Sequence, residues 1–110
     1  MLTIEVHMVT ITSSMKAEKI VYNKEKIGHI IREIIIWRLP DKTKERPHGL
    51  KYRLYYGDDK GNCFVRYDNE TGKSDHRHYG DIEENYKFTS VTKLILDFFR
   101  DIERINRRRK

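Results

Sequence analysis

The chain has one cysteine, two prolines, one tryptophan and no glutamine among its 110 residues. A lone cysteine excludes an internal disulfide and makes a cytoplasmic protein the simplest expectation. No apolar run approaches the roughly 20 residues that a membrane-spanning helix needs. The opening MLTIEVHMVTITSS has neither a basic start nor a continuous apolar stretch, which makes it a poor secretory signal. There is no CxxC and no HExxH, no internal repeat, and no low-complexity segment beyond the terminal RRRK. One alanine and no glutamine, set against many Lys, Arg, Glu and Ile, is a balance that high temperature favours.

What is present is charge, at 36% of residues, and a hydrophobic fraction of 37%. A chain of this length forms a single domain over residues 1–110, with a modest core drawn from a few strongly apolar segments. The net charge is +6. The basic excess is concentrated after residue 88, in a segment ending RINRRRK, with 107–110 as a basic tail. Such a tail suits a polyanion, RNA or DNA. It equally suits a solvated helix end, where cations meet the negative end of the dipole.

Leu2, Ile4, Val6 and Met8 alternate with polar residues, the period of a strand. Ile20–Tyr22 is β-prone, and NKEKIG reads as the turn after it. In GHIIREIIIWRL, Ile30, Ile34 and Ile36 share one face and Ile31, Ile35 and Trp37 the other, as in a strand covered on both sides. LKYRLYY (50–56) and CFVRY (63–67) are two more strands, joined by the GDDKGN turn. Cys63 alternates with Val65 and Tyr67, the pattern of a buried hydrophobe, and Glu84–Phe88 suits a short edge strand. Val91, Leu94, Ile95, Phe98, Phe99, Ile102 and Ile105 form the apolar stripe of an amphipathic helix capped by Thr89 or Ser90. The aromatic pair at 98 and 99 is expected against the sheet. The fold class is therefore α+β: an antiparallel sheet of four or five strands packed against one long C-terminal amphipathic helix. Arg53, Tyr55 and Arg66 are expected on the opposite face of the sheet. One apolar face of the Gly28–Leu39 strand is then left without cover, which implies a homodimer or a partner-covered surface.

The chemistry is densest in VRYDNETGKSDHRHYGD, residues 65–81. If Asp75–Tyr79 is extended, His76 and His78 point to one side, roughly 7 Å apart, and Asp75, Arg77 and Tyr79 to the other. Two imidazoles flanking one phosphodiester can cleave RNA without a metal. One takes the 2′-hydroxyl proton and the other protonates the leaving 5′-oxygen, roles that suit a side chain titrating near neutrality. Lys73, Arg77 or Arg66 would stabilise charge on the phosphorane, Tyr67 and Tyr79 would stack on bases, and His48 is a third imidazole within reach. No cofactor is expected. The competing metal reading draws a divalent ion to Asp68, Asp75, His76 and His78. The competing structural reading makes Asn69-Glu70-Thr71-Gly72 a turn whose polar neighbours bond backbone groups. Along the helix, Arg100, Arg104 and Arg107 recur on one flank and, with Arg108, Arg109 and Lys110, form a stripe suited to phosphates.

IIIWRLP, RPHGLKYRLYYG, VRYDNETGKSDHRHYGD and TSVTKLILDFFRDIER together resemble the TumE family, toxins of toxin–antitoxin modules. YDNExGKxDHxH is the most specific part, with Ser74 standing where a glycine is expected. The resemblance spans residues 16–105 and leaves 1–15 as an added strand or arm. It implies a cytoplasmic ribonuclease toxin paired with a DNA-binding antitoxin. The matching polar positions are His48, Arg66, Asp68, Asn69, Glu70, Lys73, Asp75, His76 and His78. Two other classes remain open: a nucleic-acid-binding module without catalysis, and an interaction protein whose polar loop docks a partner.

Overall fold

The computed structural model describes residues 16–70 and 72–109. The strand expected at Leu2–Met8 lies outside them. Six strands follow one another, β1 (Glu18–Ile27), β2 (Ile30–Arg38), β3 (Leu50–Asp58), β4 (Cys63–Asp68), β5 (His76–Tyr79) and β6 (Ile82–Asn85), and helix α1 (Val91–Arg109) closes the chain. The strands pair in sequence order, each antiparallel to the next. This is the simplest topology for strands joined by short turns. The class is the expected α+β, with six strands in place of four or five.

The extra strand is β5, and the first strand also runs longer than expected. NKEKI continues β1 instead of turning, and the reversal is confined to Gly28-His29. Lys24 and Lys26 then occupy outward positions of an edge strand, where charge discourages pairing with other chains. The last strand lies two residues earlier than expected, because Gly80-Asp81 suffices to reverse the chain between Tyr79 and Ile82. Gly80 has φ +60°, a left-handed conformation that a side chain would strain.

The core lies between one face of the sheet and α1. Ile34, Ile36, Tyr52, Leu54, Val65, Tyr67 and Tyr79 meet Leu94, Phe98, Ile102 and Ile105 there. Each such side chain stabilises the fold by about 1.5–3 kcal/mol through burial, and Phe98→Ala would cost about 3–5 kcal/mol. Ser90 Oγ accepts the Lys93 N–H at 3.1 Å and caps the helix. Phe98 is wholly buried, whereas Phe99 is 37% exposed. The pair is split because adjacent helical residues lie about 100° apart, and Phe99 lies under the Arg32 guanidinium instead.

A bulge sits where Tyr56 and Gly57 of β3 meet Val65 and Cys63 of β4. It breaks the alternation: Phe64 packs against the core. Cys63 is only partly buried, and burial pushes its thiol up, against the lowering charge of nearby Arg66 and Arg53. Gly57 is required at the bulge because a Cβ there would collide with the Asn62 carbonyl oxygen.

Candidate active site

Because side chains alternate along a strand, the face turned away from α1 is written by register. Two rows cross it, neighbour opposite neighbour. One runs Tyr55, Arg66, His78, Glu83, and the other Arg53, Asp68, His76, Asn85. His76 and His78 share this free face, and Arg53, Tyr55 and Arg66 lie on it with them.

Within the first row, Arg66 Nη2 lies 2.7 Å from His78 Nε2. Glu83 Oε2 lies 3.1 Å from the same nitrogen and 3.8 Å from His76 Nε2. A guanidinium only donates, so Arg66 holds the neutral ring of His78, with its proton on Nδ1. A carboxylate only accepts, so Glu83 holds the protonated ring. One nitrogen thus has a partner for each of its states. His76 Nδ1 donates to the Ser74 carbonyl, and its Nε2, bare in the neutral ring and a donor in the charged one, faces the same carboxylate. Arg66 Nε lies 3.2 Å from Asp68 Oδ2, an ion pair whose N–H is not aimed at the oxygen.

A second cluster lies behind the sheet, where β3 begins and β4 ends. The Leu50 N–H donates to His48 Nδ1 at 3.1 Å, so the imidazole proton resides on Nε2 and is donated to Asp75 at 3.1 Å. Asp75 also accepts from Tyr52 Oη at 2.8 Å and Asn69 Nδ2 at 3.1 Å. Burial, reinforced by the hydrogen bond to Asp75, pushes the Tyr52 hydroxyl well up. Asn69 is fully buried and extends the β3–β4 ladder with its side chain, accepting from Tyr52 N and donating to the Leu50 carbonyl. Buried Arg46 grips the Asn69 carbonyl through Nε at 3.0 Å and Nη2 at 2.7 Å. This knot ties the RPHG loop to the β4–β5 turn.

The structure therefore divides the expected site. His76, His78, Arg66 and Asp68 come together on the free face. His48 and Asp75 come together elsewhere, and Lys73 is exposed in the turn between β4 and β5. The ligand set Asp68, Asp75, His76 and His78 is not assembled, since Asp75 is turned from the histidines and held by three donors. Among the described residues no three His, Cys, Asp or Glu side chains are arranged so that they could hold a metal ion.

The expected RNA-binding residues are corrected in three places. Tyr67 is fully buried, with its hydroxyl donated to Asp101, so its ring cannot stack on a base. Tyr79 is 6% exposed, its ring flanked by Arg77, Arg104 and Arg108 at 5.6–5.7 Å. Arg77 is spent on Asp101 at 3.2 Å and Glu84 at 2.6 Å. All three lie on the helix side because their parity in the strand is opposite to that of the histidines. Arg100 and Arg107 are exposed but pair with Asp97 and Glu103. The helix stripe as a whole lies across the sheet from His76 and His78. The side chain of Arg109 and all of Lys110 lie outside the described residues.

Sequence reasoning missed Glu83, Tyr52 and Arg46. Glu83 was within reach: in HRHYGDIEEN a two-residue turn at Gly80-Asp81 sets it opposite His78.

Among the described residues, the meander, one helix and a polar sheet face that no other element covers define a small α+β domain with a row of ionisable groups on that face. The chain belongs to the TumE family: the family model described as toxin TumE matches residues 5–106, nearly the whole chain. The match begins eleven residues ahead of the segments that carry the resemblance. No curated protein and no solved structure matches the chain. Among the described residues no helix is long and apolar enough to cross a membrane.

Proposed function

We propose that this toxin-family protein cleaves RNA by histidine acid–base chemistry on the free face of its sheet. The observation that carries the reading is His78 Nε2 held between Arg66 and Glu83, with His76 beside it on the same strand and face. His76 Nε2 takes the proton of a 2′-hydroxyl, whose oxygen attacks the adjacent phosphorus. Protonated His78 gives its proton to the departing 5′-oxygen. The products are a 2′,3′-cyclic phosphate and a 5′-hydroxyl, and no other reactant is consumed. Protonation of His78 turns it from Arg66 to Glu83, which frees the guanidinium for the phosphorane oxygens. No metal is needed for this cycle. Its partners are RNA and an antitoxin that neutralises it by covering the free face.

The test is inducible expression of wild type beside His76→Ala/His78→Ala, with incubation of both purified proteins with RNA. Growth arrest and cyclic-phosphate ends from wild type alone support the reading. Equal cleavage by the double variant sinks it.

A further inference from the structure

The free face continues beyond the histidines to β1 and β2, and its composition changes there. Lys19, Tyr22 and Lys24 face outward from β1, across from Trp37, Ile35 and Glu33 of β2. Lys19 Nζ lies 4.9 Å from the Tyr22 ring centroid and 5.3 Å from that of Trp37. Tyr22 is 52% exposed. Beside Trp37, a groove of about 450 Å³ is lined by Ile35, Trp37, Lys51, Tyr52, Arg53 and Glu70. Arg53 joins this groove to the histidine row, because it is the cross-strand neighbour of both Ile35 and Asp68.

We infer that this half of the face is a stacking platform for single-stranded RNA. Its bases lie on Trp37 and Tyr22, and its phosphates on Lys51, Arg53 and Lys19. The inference rests on RNA being the substrate class and adds where the strand runs: across the sheet, not along the basic stripe of α1. Charge selects this occupant. Cations outnumber anions here: Lys19, Lys51 and Arg53 stand exposed around Glu33 and Glu70, and Glu33 lies 3.7 Å from Arg53. Lysine is depleted at the centre of protein interfaces, whereas aromatic rings interleaved with cations are how sequence-tolerant single-strand sites are built. From β5 to β2 is three strand spacings, roughly 14 Å, so one strand can reach both the platform and the histidine pair.

The probe is a labelled single-stranded oligoribonucleotide with 2′-O-methyl groups, which cannot be cleaved because the attacking hydroxyl is blocked. Trp37 is the sole tryptophan, so its emission reports contact directly. The expected result is saturable quenching, affinity that falls as salt rises, and preference over duplex RNA. Trp37→Ala should weaken binding about tenfold or more. Lys51→Glu and Arg53→Glu, exposed and harmless to the core, should weaken it and flatten the salt slope. Arg104→Glu/Arg107→Glu on α1 should leave binding within about twofold of wild type. Unchanged affinity in the sheet variants, an unchanged emission spectrum, or equal duplex binding overturns the inference. So does light scattering in which Trp37→Ala dissolves a dimer while RNA affinity stays the same, since the face is then an interface between copies. Platform binding without cleavage of ordinary RNA removes the catalytic reading alone. Cleavage with an unaltered KM in Trp37→Ala removes this inference alone.

Discussion

His78 Nε2 lies 2.7 Å from Arg66 Nη2 and 3.1 Å from the carboxylate of Glu83, and the three residues stand in one cross-strand row. A donor that cannot accept and an acceptor that cannot donate share one nitrogen, so a proton gained or lost there changes which neighbour it holds. On the catalytic reading, His78→Gln lowers the rate of a single turnover by about 10²–10⁴. Glu83→Gln lowers it less and leaves RNA affinity nearly unchanged. Rapid-quench assays at saturating RNA check both, and a Glu83→Gln defect confined to KM contradicts the assignment.

Asp75, one of the four ligands of the expected metal set, is turned from His76 and His78 and accepts from His48, Tyr52 and Asn69. Cleavage is therefore expected to proceed at the same rate in EDTA. Activity lost to the chelator and restored by Mg²⁺ or Mn²⁺ would show that the acid–base cycle is incomplete without an ion.

Asn69 is fully buried, and its side chain bonds Tyr52 N, the Leu50 carbonyl and Asp75. Asn69→Ala strands a donor and acceptors that water cannot reach, at a cost of about 2–4 kcal/mol. In a domain of this size that lowers Tm by roughly 10–25 °C. Calorimetry measures it, and a fall of under about 5 °C would mean that the β3–β4 ladder closes without this side chain.

Asp97 links α1 to the segment after β6. Burial pushes its carboxyl up, but hydrogen bonds from Tyr86 and Lys93 and the charges of Lys93 and Arg100 outweigh it, and the net shift is downward. A carboxylate lowered by folding contributes stability that is present above its unfolded value. That contribution is lost as pH falls through its folded value. The stability advantage of wild type over Asp97→Asn should thus be full at neutral pH and shrink below about pH 4. Denaturant melts across pH 2–7 test the sign, and a gap that widens in acid contradicts it.

The periodicities were readable without coordinates. Alternation in GHIIREIIIWRL separated Ile34 and Ile36 from Ile31, Ile35 and Trp37, and the stripe from Val91 to Ile105 was already a helix that covers one face. Alternation in DHRHY also set His76 and His78 apart from Asp75, Arg77 and Tyr79. These patterns are local, because they follow from the repeat of one element. Which face α1 would cover was not local. It depends on the pairing of six strands, and it sent Tyr67, Tyr79 and Arg77 inward and left Trp37 and the histidines open. The bulge at Phe64 and the two-residue turn at Gly80 set register, and a slip of one residue exchanges every inward side chain for an outward one. Histidines, carboxylates and cations were thus supplied by the sequence, while the pairing of His78 with Arg66 and Glu83 was decided by strand register across the sheet, and that of His48 with Asp75 by the packing of the loop before β3 against the β4–β5 turn.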